Sequence, residues 1–592
     1  MTSTASSNIS VPNVTNDTPS TSIVTVSDPP RRQPPPHGKQ PPLNHSQGSN
    51  TFLSKHAHCP QLPTPIRSQR LKHHLERIKY NTAITEYLVN GFEQGFPIDH
   101  FHTAYDVQAN NTSAISEAAG FVRTKLDTEV KAGRIAGPFS HPPFSPFQVS
   151  PLNIREKKPI GTQERKFRLL HNLSFPYDST SVNANIPDSS KVVKYSSVGD
   201  AICKLLTLPT GAYTAKTDIA DAYRLIPIAP ADYPKLGMQF EGAYYYDKCL
   251  PQGCSSSCRI FETFSTAIQA ILEAQVTGVR CVHMIDDFFL MAADFTTCDS
   301  HLKSLLALCA DLGVPMSPNK TTIPSTNTTF LGIELDTITR TAKLPIDKLV
   351  DYSQDLRTFQ QHKRVRRKEL ESIIGKLSFA STVVPARPFL RRLIDLLSIV
   401  SKPYHYIRLN GEVRADLQTW LHFLETYNGI TYFRSIDAFP SDSIHMGSDA
   451  SKLGFGAVYG KRWVQAPYPP SWQLLHITVL ELYPIFVLLH LFGHLLKDSS
   501  ILFHCDNTAV VAIINKQTSK DKTVMCIVRS LVLLLVHHNI CLKSAHIAGA
   551  INVLPDKISR FQVTPQLLLD FGMHPTPTPI PVQILPENFK LT

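Results

Sequence analysis

Apolar and polar positions change their spacing several times along the chain. Residues 1–64 show no apolar period and are rich in Ser, Thr, Asn and Pro, including Pro34-Pro35-Pro36. Such a segment buries too little apolar surface to offset its ordering entropy, which predicts disorder. Over 65–130 the spacing turns helical, as at Ile84, Leu88 and Phe92, and breaks near Pro97, predicting a helical lead-in. Between 131 and 345 short β-rich runs alternate with helical ones, separated by turn signals at Gly211, Pro227, Gly253 and Gly313. Residues 346–440 read as mainly helical, with amphipathic helices predicted from Lys368 to Ser381 and from Pro388 to Val400. From Ser443 strands give way to helix, strand, helix and a closing loop-helix, which predicts a compact α/β unit over 441–562. The tail, 563–592, carries Pro575, Pro577, Pro579 and Pro581 and is expected to be extended and mobile. The predicted fold class is therefore multidomain α+β, since 592 residues exceed what one core can serve.

Composition narrows the setting. Lys and Arg total 59 against 48 Asp and Glu, a net +11 that suits a polyanionic partner. The 11 cysteines include no CxxC pair, which argues against a disulfide framework or a zinc knuckle and fits a reducing compartment. His56, His58 and Cys59 lie close together in a polar segment and are read as composition. No N-terminal apolar region marks a secretion signal, so an intracellular protein of cytoplasm or nucleus is expected. The apolar stretch from Val479 to Leu496 carries Glu481, Pro484, His490 and His494, and reads as a buried helix with no membrane role.

Two sets of acids carry the candidate chemistry. In the first, Asp218 ends a predicted strand, Ala215-Lys216-Thr217-Asp218, and a helical turn follows. Val282-His283-Met284-Ile285-Asp286-Asp287-Phe288-Phe289-Leu290 places an acidic pair between apolar runs, as a tight β-hairpin would. Neighbouring side chains on a regular strand point to opposite faces, so both acids reach one site only through a turn. In the second, Asp449 lies near the end of a strand, Glu481 in a helix, Asp506 after Ile501-Leu502-Phe503-His504-Cys505, and Asp556 beyond His546-Ile547-Ala548-Gly549-Ala550-Ile551-Asn552. Concentrated carboxylates supply the oxygen ligands that two Mg²⁺ ions require, with Mn²⁺ able to substitute.

In its order of motifs the upstream region resembles reverse transcriptases. Asp218 falls in the first palm motif, Leu250-Pro251-Gln252-Gly253 in the next and Asp286-Asp287 in the third, and Phe330-Leu331-Gly332-Ile333-Glu334-Leu335 looks like the hairpin that grips the primer. The resemblance implies fingers and palm over 131–345 and thumb or connection over 346–440. It implies metal ligation at Asp218, Ile219, Asp286 and Asp287. It implies nucleotide contact at Arg168, Ile219, Asp221, Ala222 and Gln252, with Lys157 or Lys158 assisting, and at Tyr223, which would exclude a ribose 2′-hydroxyl. Met284 departs from the tyrosine usual before the acidic pair.

Downstream, Asp449, Glu481, Asp506 and Asp556 resemble the four acids of RNase H, and His546 its mobile histidine, although Pro555 is unusual there. Gly133-Arg134-Ile135-Ala136-Gly137-Pro138-Phe139, Gln148-Val149-Ser150-Pro151-Leu152 and Ile374-Gly375-Lys376-Leu377-Ser378-Phe379-Ala380 look like DIRS-like retrotransposons, which encode a tyrosine recombinase. No protease, integrase or recombinase motif is found, so a separately encoded recombinase or a further segment is expected to insert the DNA. The implied partners are an RNA template, a DNA primer, their hybrid and deoxynucleoside triphosphates. Two rival readings stay open: a decayed or host-adopted nucleic-acid-binding protein, and a structural protein of the element. The basic run Lys363-Arg364-Val365-Arg366-Arg367-Lys368 reads either as a solvated helix start or as a contact with nucleic-acid backbone.

Overall fold

The computed structural model describes residues 62–157, 166–426, 431–432 and 439–591. Residues 1–61, on which most of the expected disorder and the His56, His58 and Cys59 group fall, lie outside these.

At the centre is a three-stranded antiparallel sheet of β1 (Tyr213–Asp218), β2 (Arg280–Met284) and β3 (Asp287–Ala292), in the order β1-β3-β2. Strand β3 is a continuous apolar run because both of its faces are covered. Phe288 and Leu290 enter one core with α1 (Ser257–Gln275) and α2 (Phe295–Leu312), while Phe289 and Met291 enter a second with the helices that follow.

The lead-in is not a unit of its own. Leu71 and Leu75 of Ser68–Arg77, with Leu88 and Phe92 of Thr82–Gln94, complete the α1/α2 core, and Phe92 meets Phe264 edge-on at 4.9 Å. Helix Ala119–Lys131 instead covers a small sheet of Ile135–Phe139, Ala243–Asp247 and Gly237–Phe240, beside the ribbon Leu152–Lys157 and Lys166–His171. The predicted boundary at 130 therefore cuts through two cores, because an amphipathic helix settles wherever its apolar stripe is buried.

Beyond the sheet, Asn327–Phe330 and Ile333–Asp336 form the expected hairpin, with Leu331 and Gly332 both at positive φ in its two-residue turn. Helices α3 (Ile346–Gln361), α4 (Arg367–Ala380) and α5 (Gly411–Thr426) build the second core around Trp420. The helix expected from Pro388 to Val400 is shorter. A 3₁₀ turn, Arg387–Leu390, leads into Arg391–Leu397, and the Arg367 guanidinium donates to the carbonyls of Leu397 and Val400 at its end.

In the C-terminal unit β4 (Met446–Ala450), β5 (Gly454–Tyr459) and β6 (Arg462–Pro467) are antiparallel, β4 packs beside β7 (Ser500–Cys505), and β7 pairs in parallel with β8 (Cys541–His546). Helix α6 (Ile477–Phe492) is apolar around its whole circumference. The span Ile477–Leu496 is long and apolar enough to cross a membrane, yet 78% of it is buried inside this unit. Helix α7 (Lys522–His537) packs on α6, and α8 (Val553–Ser559) lies over β4 and β5.

The tail departs from expectation. Ile584 is buried, and Ile580, Leu585 and Phe589 pack against the same core, with Phe589 meeting Tyr483 at 5.2 Å and Phe486 at 5.1 Å. The prolines fix an extended path but do not remove its apolar side chains from contact, so burial outweighs the bias toward a solvated tail.

Candidate active sites

The first set of acids gathers at the end of the central sheet. Asp218, last in β1, stands directly opposite Asp287, first in β3, and the Ile219 N–H donates to the Asp286 carbonyl at 2.9 Å. Asp286 sits in the turn between β2 and β3, preceded by Ile285 at φ +57°, a backbone region that β-branched side chains avoid. A buried support holds this turn. The Glu262 carboxylate accepts the Ile285 N–H at 2.8 Å and lies 3.3 Å from His283 Nε2, and the His283 ring stacks on Phe288. Burial first, and then the neighbouring Asp218, raises the Asp286 carboxyl above its ordinary range. Burial pushes Asp287 up to about 6, against the pull of Lys216 and with the help of Asp218 and Asp286. Such carboxyls favour a nearby cation. Lys320 supplies one, its Nζ lying 2.7 Å from Asp218 Oδ1.

A cavity of about 530 Å³ opens beside these acids. Asp218 and Asp286 line it; Asp287 does not. Of the residues assigned to nucleotide contact, Arg168, Ile219, Asp221, Ala222, Tyr223 and Gln252 all line it, whereas Lys158 lies outside the described residues. At two of these positions the groups on offer are restricted. An isoleucine side chain holds no ligand atom and the Ile219 N–H already donates to Asp286, which leaves the Ile219 carbonyl as the group it can offer. The Asp221 carboxylate is already bound to Arg134 at 3.0 Å. Tyr223 is fixed on two sides, its ring edge-on to Phe261 at 5.6 Å and its hydroxyl 3.1 Å from Cys258 Sγ. Gln252 is presented by a loop pressed against the strand that carries Arg168, and at Gly253 a Cβ would lie 2.0 Å from the His171 carbonyl, so only glycine fits.

Sequence reasoning missed the groups that join this floor to its roof. Arg224 reaches Glu129 at 3.0 Å and Asp247 at 2.8 Å, and Arg134 adds a second contact to Glu129 at 2.9 Å. The buried His171 closes the set, 3.0 Å from Asp247. No local motif announces these pairs. Lys320 was equally hidden, 102 residues from Asp218, although its place just after a turn following α2 was visible.

The second set is tighter. Oxygen atoms of Asp449 on β4, Glu481 on α6 and Asp506 after β7 all lie within 4.8 Å of one another, and among the described residues this is the only such acidic group. Ser559 Oγ donates to Asp449 at 2.5 Å, while one oxygen of Glu481 and one of Asp506 are buried without a partner. Burial, aided by the other acids, pushes Asp449 up to about 6 and Glu481 up to about 9. Orphaned carboxylate oxygens in a crowded acidic pocket fit a hard divalent cation, and the donors are all oxygen. Asp556 stands outside the close trio, bound through Oδ1 to Arg560 at 2.7 Å, yet near enough to act on the charge of Asp449. His546 ends β8 exposed, paired in register with Cys505 next to Asp506.

Residues 158–335 match the family model described as reverse transcriptase (RNA-dependent DNA polymerase). This segment is a domain of the reverse transcriptase type. Over 346 residues the chain is 23% identical to the Retrovirus-related Pol polyprotein from transposon opus of Drosophila melanogaster, covering 57% of this chain and 31% of that one. Over 130 residues it is 27% identical to Protein P of duck hepatitis B virus (strain China), covering 22% of this chain and 16% of that one. The chain thus spans less than a third of the length of these curated relatives. Among solved structures, the foamy viral protease-reverse transcriptase dRH in complex with double-stranded DNA aligns at 14% identity with a TM-score of 0.47, covering 83% of this chain and 84% of that one. The foamy viral enzyme in complex with RNA/DNA hybrid aligns at 15% identity and 0.45, covering 82% and 63%. The motif residues fall inside the matched reverse transcriptase domain, and the second acidic set lies downstream of it.

Proposed function

We propose that the chain is an RNA-directed DNA polymerase that also carries RNase H activity, encoded by a retrotransposon of the DIRS-like class. The observation that carries the reading is the cavity in which Asp218 and Asp286 meet Arg168, Tyr223 and Gln252. Acids alone would serve a nuclease, whereas an acid pair facing a guanidinium and a fixed phenol suits a deoxynucleoside triphosphate on a primer end. Arg168 is placed to neutralise triphosphate charge. On this reading Asp218 and Asp286, with Asp287 as a weaker third, would hold Mg²⁺ or Mn²⁺, which when bound supplies nucleophile activation and charge neutralisation for in-line displacement.

The RNase H reading rests on the acid trio and on its frame. Three antiparallel strands followed by two parallel ones carry Asp449 on β4 and Asp506 just beyond the end of neighbouring β7, with Glu481 on the helix that packs over β4 and β5. Asp556 would complete the ligand set once released from Arg560, and His546 is placed to assist product release. The substrates on this reading are an RNA template, a DNA primer and their hybrid, inside the cell, with DNA insertion left to a recombinase encoded elsewhere.

The test is extension of a labelled DNA primer on an RNA template with Mg²⁺ or Mn²⁺. Extension by the wild type and none by Asp286→Asn/Asp287→Asn is the expected result. No extension by soluble wild-type protein that still binds hybrid would overturn it in favour of a decayed or adopted binding protein. Tyr223 gives an independent check. Its ring is held by Phe261 and Cys258, so Tyr223→Val should open the floor to a 2′-hydroxyl and raise relative ribonucleotide incorporation on the order of 10²-fold. Unchanged discrimination in single-nucleotide insertion assays would remove Tyr223 from that role.

A further inference from the structure

The basic run after α3 is built into a small structure of its own. Arg364–Arg366 pairs antiparallel with Tyr406–Arg408, setting Arg364 opposite Arg408, Val365 opposite Ile407 and Arg366 opposite Tyr406. Strand alternation sends Val365 and Ile407 into the helical core and turns Arg364, Arg366, Tyr406 and Arg408 outward together. Tyr406 is 58% exposed and Tyr404, two residues earlier, 62%. Lys363 and Lys402 flank this face, also exposed.

The face makes little internal use of its charge: Arg366 Nε donates to the Tyr406 hydroxyl at 3.3 Å, which leaves both groups on the same outward surface. Neither 363–368 nor 402–408 contains an Asp or Glu. The nearby acids are engaged elsewhere, Glu369 with the Arg366 N–H at 2.7 Å and Glu371 with Arg367 at 2.8 Å. Among the described residues no carboxylate pairs with Arg364 or Arg408, and like charges directly opposite each other on a ladder destabilise it. A polyanion laid across the ribbon would reverse that sign. The aromatic groups narrow the choice, since the Arg366 guanidinium lies over the Tyr406 ring at 5.7 Å and Tyr404, edge-on to His405 at 5.0 Å, keeps most of its surface exposed. Rings between cations suit unstacked bases on a phosphate backbone. A lipid surface would call for aliphatic side chains, and the outward face of the two strands has none.

We propose that this ribbon is a binding surface for single-stranded nucleic acid, distinct from both acid sites. Arg364, Arg366 and Arg408 take neighbouring phosphates, and Tyr404 and Tyr406 stack on bases. The inference rests on the nucleic-acid reading above and specifies a strand state and a place for it.

The experiment measures binding of a labelled oligouridine to the full chain by anisotropy across a salt series, beside extension on a short annealed primer-template. Arg364→Ser/Arg408→Ser should weaken binding and flatten the dependence of log affinity on log salt by about 1.4, two phosphate contacts on a single strand. Tyr406→Ala should weaken binding about 5- to 100-fold, with Tyr406→Phe close to wild type. All three variants should keep extension. Unchanged oligouridine affinity and slope in both the arginine and the alanine variants would overturn the proposal while leaving the polymerase reading intact. Flotation with phosphatidylserine vesicles that is lost in the arginine variant, with oligouridine binding intact, would also overturn it. Loss of oligouridine binding in the variants of a protein whose wild type never extends a primer would uphold the ribbon and sink the catalytic reading.

Discussion

Glu481→Gln is expected to abolish hybrid cleavage and, at the same time, to make the metal-free C-terminal unit more stable. Glu481 is 8% exposed, one of its oxygens has no partner, and it shares its pocket with Asp449 and Asp506. Its carboxyl is raised to about 9, so on folding it holds a proton that the unfolded chain releases near 4.5. Between those values the folded state binds more protons than the unfolded one, and stability falls as pH rises. Asp449, raised to about 6, adds a lower window from 3.8 upward. Glutamine keeps the shape and removes the charge. We expect it to stabilise the metal-free protein at pH 8 by about 1–3 kcal/mol and to flatten the fall in stability between pH 5 and 9. On the proposed RNase H reading, in which Glu481 would be a metal ligand, cleavage of a labelled RNA/DNA hybrid should drop by about 10³-fold. Thermal unfolding in EDTA across pH checks the first part. A variant less stable than wild type at pH 8 would mean that Glu481 is a structural hydrogen-bond partner and that the acids are not held against their own repulsion.

Arg224→Met should cost about 3–5 kcal/mol, since removing one member of a buried charge network leaves its partners uncompensated. Glu129 and Asp247 have side chains only 3% and 4% exposed, and both depend on this guanidinium. Burial would raise Glu129, but Arg224, Lys125 and Arg134 outweigh it and hold the carboxyl down at about 2. A depressed carboxylate stabilises the fold above its unfolded value near 4.5, and that contribution is lost as pH falls through 2. The variant should therefore unfold in acid at a higher pH than the wild type, besides showing a lower denaturant midpoint at pH 7. Glu129, Arg224 and Asp247 also line the cavity beside Asp218 and Asp286, so on the proposed polymerase reading extension should weaken with the fold. Equal acid midpoints for the two proteins would show that Lys125 and Arg134 alone hold Glu129.

The difference between these two sites shows what a sequence makes legible. Asp286-Asp287 and its flanks are local, and the hairpin that presents them follows from continuous apolar runs on either side of a turn. Gly253 is legible in the same way, as part of a motif that reflects a close backbone approach. Arg224, Glu129 and Asp247 are not, because a charge reads as surface until the fold shows what lies over it. Lys320 on Asp218 and Ser559 on Asp449 are joined only through tertiary packing, across 102 and 110 residues. The lead-in was legible as helix but not as part of two cores, since an apolar stripe states that it must be buried and leaves open against what. The same holds for Asp556, whose motif position was plain and whose hold on Arg560 was not.

The docked tail changes how this protein should be cut and tagged. A fragment ending near Phe561 looks complete by its acids, yet it would leave Trp472, Tyr483 and Phe486 facing solvent where Phe589 belongs. Such a bare aromatic face favours self-association over a soluble monomer. Recombinant versions of the C-terminal unit should run through residue 591, and an affinity handle is better placed at the other end.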